Sequence, residues 1–143
     1  MKPMPDNERC FIDTNVWLYA LIESKENERK SKTAKELLET PDVFISVQVI
    51  NEVCVNLIKK AGFGETQISA LIESFYEDYP VVEVDLTILL MASKLRQHYA
   101  FSFWDSLIVA IALAAESGIL YSEDMQDGLL VEGKLKIINP FVE

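Results

Sequence analysis

Four acids stand out by where they fall relative to the apolar runs. Asp13 closes the run C-F-I, and Asp124, with Glu123 beside it, closes the run I-L-Y. Asp105 lies in the first turn of the apolar stretch W-D-S-L-I-V-A-I-A, and Glu52 lies in the helical stretch that follows V-F-I-S. If the apolar runs are strands of an open parallel sheet, the ligand crevice lies beyond their carboxyl ends and the four acids can converge there. Converging carboxylates offer hard oxygen ligands to a divalent cation. Each acid also has an ordinary explanation. Asp13 can cap a helix beginning at Thr14 or Asn15, Asp105 can be the third-position acid of a capping box with Ser102, and Asp124 can be a turn residue. On a helical wheel Glu52 falls opposite Ile50, Cys54 and Leu57, on a stripe with Gln48, Asn56 and Lys59, which reads as a solvated face.

The elements that must position these acids follow from apolar spacing and local stop signals. After R-C-F-I, a short buried strand, the positions Val16, Leu18, Tyr19 and Ile22 have helical spacing to about Ser24. A charged run separates this helix from a second one carrying Ala34, Leu37 and Leu38, which ends at Thr40-Pro41-Asp42. V-F-I-S is a second strand, and Ser46 is placed to cap a helix that runs to Gly62. Another helix extends from about Glu65 to Tyr79, Pro80 opens the strand V-V-E-V, and Asp85 introduces an amphipathic helix through Leu86, Leu89, Leu90, Ala92 and Leu95. The most apolar helix starts near Trp104 and is closed by Gly118, I-L-Y is a very short buried strand, and L-K-I-I is the last. Short apolar strands alternating with helices predict an α/β domain, a central parallel sheet flanked by helices on both faces.

Composition bounds what such a domain can do. With 143 residues, half of them hydrophobic, the chain suits one domain with a core that needs no disulfide or metal staple. Residues 1–7, which include two prolines, read as a loose tail, leaving 8–143 for the domain. No window reaches the roughly 18 apolar residues of a membrane span, and the start has no signal-peptide core, so a soluble cytoplasmic protein is expected. Cys10 and Cys54 suit buried reduced thiols. The one histidine, His98, lacks the partners that histidine-based metal or triad chemistry needs. A net charge of −10 argues against loose binding of a polyanion over the whole surface. It does not exclude nucleic acid, because acids gathered around divalent cations can present a positive local charge to phosphate.

In combination the motifs resemble a known family, the PIN-domain nucleases, and within it the VapC-type toxins of bacterial toxin–antitoxin pairs. The matching pieces are F-I-D-T-N-V, I-S-V-Q-V-I-N-E-V, W-D-S-L-I-V-A-I-A and L-Y-S-E-D-M-Q-D-G, in the family's order and across almost the whole chain. The resemblance implies that Asp13, Glu52, Asp105 and Asp124 form an acidic quartet holding Mg2+ or Mn2+, which overrides the solvated reading of Glu52. It further implies that Thr14 or Asn15 steadies the site. Ser122 stands where the family commonly has threonine, and Asp127 where an aromatic is usual, so a share of Glu123 or Asp127 in the metal site is open.

The implied activity is metal-dependent endoribonuclease cleavage, with RNA as substrate, an antitoxin as silencing partner and a homodimer as the expected assembly. Basic residues near the cleft are the candidate RNA contacts: Arg29, Lys30, Lys32 and Lys35 first, then Lys59, Lys60, Lys94 and Arg96. Trp17 and Tyr19 are candidates for a partner surface or for core. Two alternatives keep the same fold: a PIN nuclease of RNA processing outside a toxin pair, and an inactive PIN scaffold. A receiver-type phospho-acceptor domain fits poorly, because Asp13 is followed by Thr14 and Asn15 rather than by an acid.

Overall fold

The run C-F-I is buried at every position, as a central parallel strand covered on both faces must be. In the computed structural model, which describes residues 9–142, it forms strand β1 (Cys10–Ile12). The tail expected at residues 1–7 lies outside the described residues. The other strands are β2 (Val43–Ser46), β3 (Val81–Val82), β4 (Ile119–Tyr121), β5 (Leu130–Val131) and β6 (Leu135–Ile138). They form one six-stranded sheet in the order β3-β2-β1-β4-β6-β5. The chain therefore builds outward from β1 to one side and later returns to the other. That reversal puts a crevice beyond the carboxyl ends of β1 and β4, the place where open sheets of this kind bind ligands.

The sheet is not wholly parallel. Neighbours are parallel from β3 through β6, but β5 runs antiparallel to β6, with Leu130 opposite Lys136 and Val131 opposite Leu135. The sequence reading missed β5 because two residues have no periodicity of their own. A tight turn makes the strand, with Glu132 and Gly133 both at positive φ.

Six helices surround the sheet: α1 (Thr14–Leu21), α2 (Glu28–Leu38), α3 (Val47–Ala61), α4 (Glu65–Asp78), α5 (Leu86–His98) and α6 (Phe103–Ala114), with one 3-10 turn at Lys25–Asn27. Four of them, α1, α3, α5 and α6, start at side-chain caps that satisfy otherwise unpaired backbone N–H groups. Ser46 accepts from Val49 N at 3.1 Å, Asp85 from Ile88 N at 2.9 Å and Ser102 from Asp105 N at 3.1 Å. Gly62 ends α3 in the left-handed conformation, φ 67°, that glycine adopts without strain. In α6 the residues from Ser106 to Ala112 are all buried. Its end differs from expectation: Ala115 is the cap, and Glu116 rather than Gly118 takes the left-handed turn, φ 56°.

Two expected elements are shorter than their apolar patterns suggest. Helix α1 ends at Leu21, because Ile22 is already extended, and β3 keeps only two residues of V-V-E-V. In α5 the buried residues are Ile88, Ala92 and Leu95, whereas Leu86, Leu89 and Leu90, expected on the apolar face, are exposed. Trp17 belongs to the core and donates through Nε1 to Ile12 O at 3.1 Å, which removes it from any partner surface. Both cysteines are free and buried, and burial pushes the Cys10 thiol up to about 11, so neither is poised for thiolate chemistry.

Candidate metal and active site

Asp13 ends β1 and caps α1, so the ordinary explanation of this residue is correct as far as it goes. It accounts for one carboxylate oxygen. Oδ1 accepts from Thr14 N at 2.8 Å, and Oδ2 accepts from the Ser122 hydroxyl at 2.9 Å. Ser122 follows β4 and is buried, so the link spans the crevice between the two central strands, reinforced by Asp13 N donating to Tyr121 O at 2.9 Å. Burial is the larger reason that the Asp13 carboxyl is pushed up from 3.8 to about 6, against the two donations; the charges of Asp105 and Glu52 push in the same direction. The first turn of α6 and the middle of α3 thus bring their acids toward Asp13.

Glu52 is not on a solvated face. Oε2 accepts from Thr14 Oγ1 at 2.8 Å and Oε1 accepts from Gln48 Nε2 at 2.9 Å. The wheel reading failed because Thr14, from the helix that follows β1, reaches Glu52 across elements, whereas Lys59 on the same stripe is exposed. Gln48, which the sequence analysis used only to define that stripe, is itself part of the site. Asp124 is exposed and receives a hydrogen bond from Asn15 Nδ2, so the two residues after Asp13 each hold a different acid. Thr14 takes Glu52 and Asn15 takes Asp124.

Glu123 and Asp127 are directed elsewhere. Glu123 is paired with Lys30 Nζ and accepts from Tyr19 OH at 2.8 Å. Asp127 Oδ1 accepts from Asn139 N at 2.9 Å, and Asn139 Nδ2 donates to Glu123 O at 3.4 Å. Both acids therefore brace the segment that carries Ser122 and Asp124.

Among the described residues no three Asp, Glu, His or Cys side chains already stand together as an ion cage. The donor set nevertheless suits a hard cation. All four acids offer oxygen donors, three of them are oriented by neutral hydroxyl or amide groups, and the buried atom Gln48 Oε1 has no hydrogen-bond partner beside Glu52. A hydrated cation would bring donors to that oxygen and charge to the carboxylates.

The basic candidates divide. Lys30 is engaged by Glu123 and lies over the Tyr19 ring at 5.1 Å, and Lys35 is paired with Glu23. Lys32 and Lys35 line a surface depression of about 460 Å3 together with Lys25, Glu23 and Glu28, three bases against two acids, and none of the four acids of the quartet lines it. Arg29, Lys59, Lys60 and Lys94 are exposed. Arg96 is drawn to α6, where it donates to Ser106 Oγ at 2.7 Å.

Comparison with known proteins agrees with this architecture. No curated protein sequence matches the chain. A chain of a toxin–antitoxin complex from Klebsiella pneumoniae superposes with a TM-score of 0.70 at 21% identity, covering 92% of this chain and 98% of that one. VapC20 from Mycobacterium tuberculosis, a sarcin–ricin loop cleaving toxin, gives 0.64 at 21% identity, covering 80% of this chain and 89% of that one. FitAcB from Neisseria gonorrhoeae gives 0.65 at 19% identity, covering 92% and 98%. These likenesses are of fold. The family model of the PIN domain matches residues 10–126, from the first residue of β1 to just past Asp124, and by that match the chain belongs to the PIN domain family.

Proposed function

We propose that this protein is a metal-dependent endoribonuclease that hydrolyses RNA phosphodiester bonds, and that it serves in the cytoplasm as the toxin of a toxin–antitoxin pair. One observation carries the reading: Asp13 is buried at the sheet's carboxyl edge with both oxygens hydrogen-bonded, and burial first, then the charges of Asp105 and Glu52, raise its proton affinity. Like charges brought together at a cost in stability are the mark of a site arranged for function rather than for folding. The toxin role is supported by the solved chains of similar fold, two of them named as toxin or toxin–antitoxin proteins.

Asp13, Asp105, Asp124 and Glu52 would hold Mg2+ or Mn2+. Such a cation supplies Lewis acidity to the phosphoryl oxygens, activation of the attacking water and charge stabilisation of the leaving alkoxide. The chain's own part is positioning. Ser122 and the Thr14 amide fix both oxygens of Asp13, the Thr14 hydroxyl and Gln48 fix Glu52, and Asn15 steers Asp124. The N-termini of α1 and α6, each carrying one acid of the quartet at its cap or in its first turn, add the positive ends of two helix dipoles to a region an anionic phosphate must enter. Glu123 and Asp127 act as braces in this scheme and not as ligands.

An antitoxin covering the crevice and a second copy of the chain are the expected protein partners. The exposed leucines Leu86, Leu89 and Leu90 give one helix face suited to an apolar partner, and self-association through it is the assembly we assign. The test is cleavage of a mixed cellular RNA pool by the wild-type protein and by Asp13→Asn, each with Mg2+, with Mn2+ and with chelator. Cleavage that needs both the metal and Asp13 is expected. No cleavage together with no saturable Mn2+ binding would replace the reading with that of an inactive scaffold.

A further inference from the structure

The first turn of α6 carries more than Asp105. Phe103 and Trp104, the two residues before it, are 57% and 62% exposed, although they are among the largest apolar side chains in the protein. They are not loose. Their rings meet edge to face, with centroids 5.2 Å apart, and the Arg96 guanidinium from α5 lies over the Phe103 ring at 4.4 Å. Arg96 is in turn held by Ser106 Oγ at 2.7 Å, and Ser106 Oγ donates to Phe103 O at 2.6 Å. A buried serine of α6 thus pins an arginine of α5, the arginine backs a phenylalanine and the phenylalanine meets the indole, beside the acid in the first turn of α6.

We propose that Trp104, buttressed by Phe103 and Arg96, is a stacking platform for an unpaired nucleobase next to the phosphate that enters the acidic site. This deepens the ribonuclease reading and rests on it. Three observations favour a base over a protein surface. The platform shares the first turn of α6 with Asp105, so it lies one residue from an acid of the site. The charged group packed against it is a cation, complementary to a sugar–phosphate backbone. Its surface is aromatic, whereas the exposed aliphatic side chains of α5, at Leu86, Leu89 and Leu90, form a separate patch of the kind proteins use against one another. Need points the same way. With a net charge of −10, and with Lys30 and Lys35 paired to acids, the chain has little long-range attraction for RNA, and stacking supplies affinity that does not depend on charge.

The protein carries its own reporter, because of its two tryptophans Trp17 is buried and Trp104 is exposed. We would titrate the cleavage-deficient Asp13→Asn chain, in Mg2+, with a twelve-nucleotide oligoadenylate and with an abasic ribose–phosphate oligomer of equal length. Tryptophan emission and the anisotropy of end-labelled RNA would be read together. Oligoadenylate should quench the emission and the abasic oligomer should not. Adding Trp104→Ala should weaken oligoadenylate binding by about tenfold or more while leaving the abasic affinity unchanged. A melting temperature close to that of the parent is the control for folding. Binding without quenching, or equal losses for both oligomers, would overturn the platform and leave the ribonuclease reading standing. Emission that changes with protein concentration in step with the oligomeric state, and not with RNA, would give this surface to a second copy. Failure of both oligomers to bind at low salt would overturn the platform, while the ribonuclease reading stands or falls separately on cleavage and Mn2+ binding by the wild-type protein.

Discussion

The two central strands deliver their acids to the same crevice under opposite conditions. At the end of β1, Asp13 is buried and both of its oxygens accept hydrogen bonds from within the protein. At the end of β4, Asp124 is exposed and is steered by Asn15, on a segment tied down from outside by Lys30, Tyr19 and Asn139. Burial makes the first carboxylate costly and fixed; exposure makes the second cheap and adjustable. The proposed uptake of a hydrated ion and a moving phosphate would use one of each, a fixed reference and a carboxylate that can follow.

Substitutions at the two ends should separate these properties. The largest effect expected is on catalysis: Asp13→Asn should lower RNA cleavage by at least about a thousandfold, the scale on which a preorganised electrostatic group matters. It should at the same time stabilise the fold. The folded carboxyl holds its proton more tightly than the unfolded one, so wild-type stability should fall as pH rises from about 4 to about 6 and stay lowered above that. Removing the charge should recover on the order of 3 kcal/mol at neutral pH and flatten the slope, as read by denaturant midpoints across that range in chelator. Asp124→Asn should also impair cleavage and Mn2+ affinity but leave stability nearly unchanged, because that side chain is exposed. An equal gain in stability from both variants would erase the distinction between the two ends.

Smaller effects should sharpen it. Ser122→Ala deletes a buried donor to Asp13 and should cost about 1 kcal/mol in chemical denaturation, with a steeper loss of stability as pH rises because the carboxylate loses support. Lys30→Ala loosens only the outer tie of the β4 end. It should change global stability by no more than about 1 kcal/mol, yet speed amide exchange in residues 122–127. If it instead weakened RNA binding and flattened the salt dependence without touching exchange, Lys30 would return to the role of a phosphate contact.

What could be read in the sequence follows the same division between local and long-range causes. Caps and strand ends are local, so Ser46, Gly62, Asp85 and the strand before Asp13 were legible from neighbouring residues alone. Strand β5 was not, because a turn and the partner strand make it. The stripe containing Glu52 was legible as polar but not as placed, since periodicity tells which face a residue shares and not what lies opposite. The leucines of α5 misled in the other direction, because a hydrophobic side chain does not announce whether its cover comes from its own chain. Thr14 and Asn15 were candidates only through the family's pattern, and nothing local says that each would hydrogen-bond a different acid. Trp104 reads as the start of an apolar helix, with Phe103 just before it, and nothing local in the sequence announces that both are exposed.

Both outer strands of the sheet, β3 and β5, are two residues long. A short border offers another polypeptide hardly any run of free amides and carbonyls on which to extend the ladder. Accidental cross-linking of sheets between copies is discouraged by geometry, without charged guards along a long edge. By the same reasoning, a protein that associates with this one has to recognise side chains on helices and loops, because adding a strand to the sheet is the one mode of recognition its borders do not support.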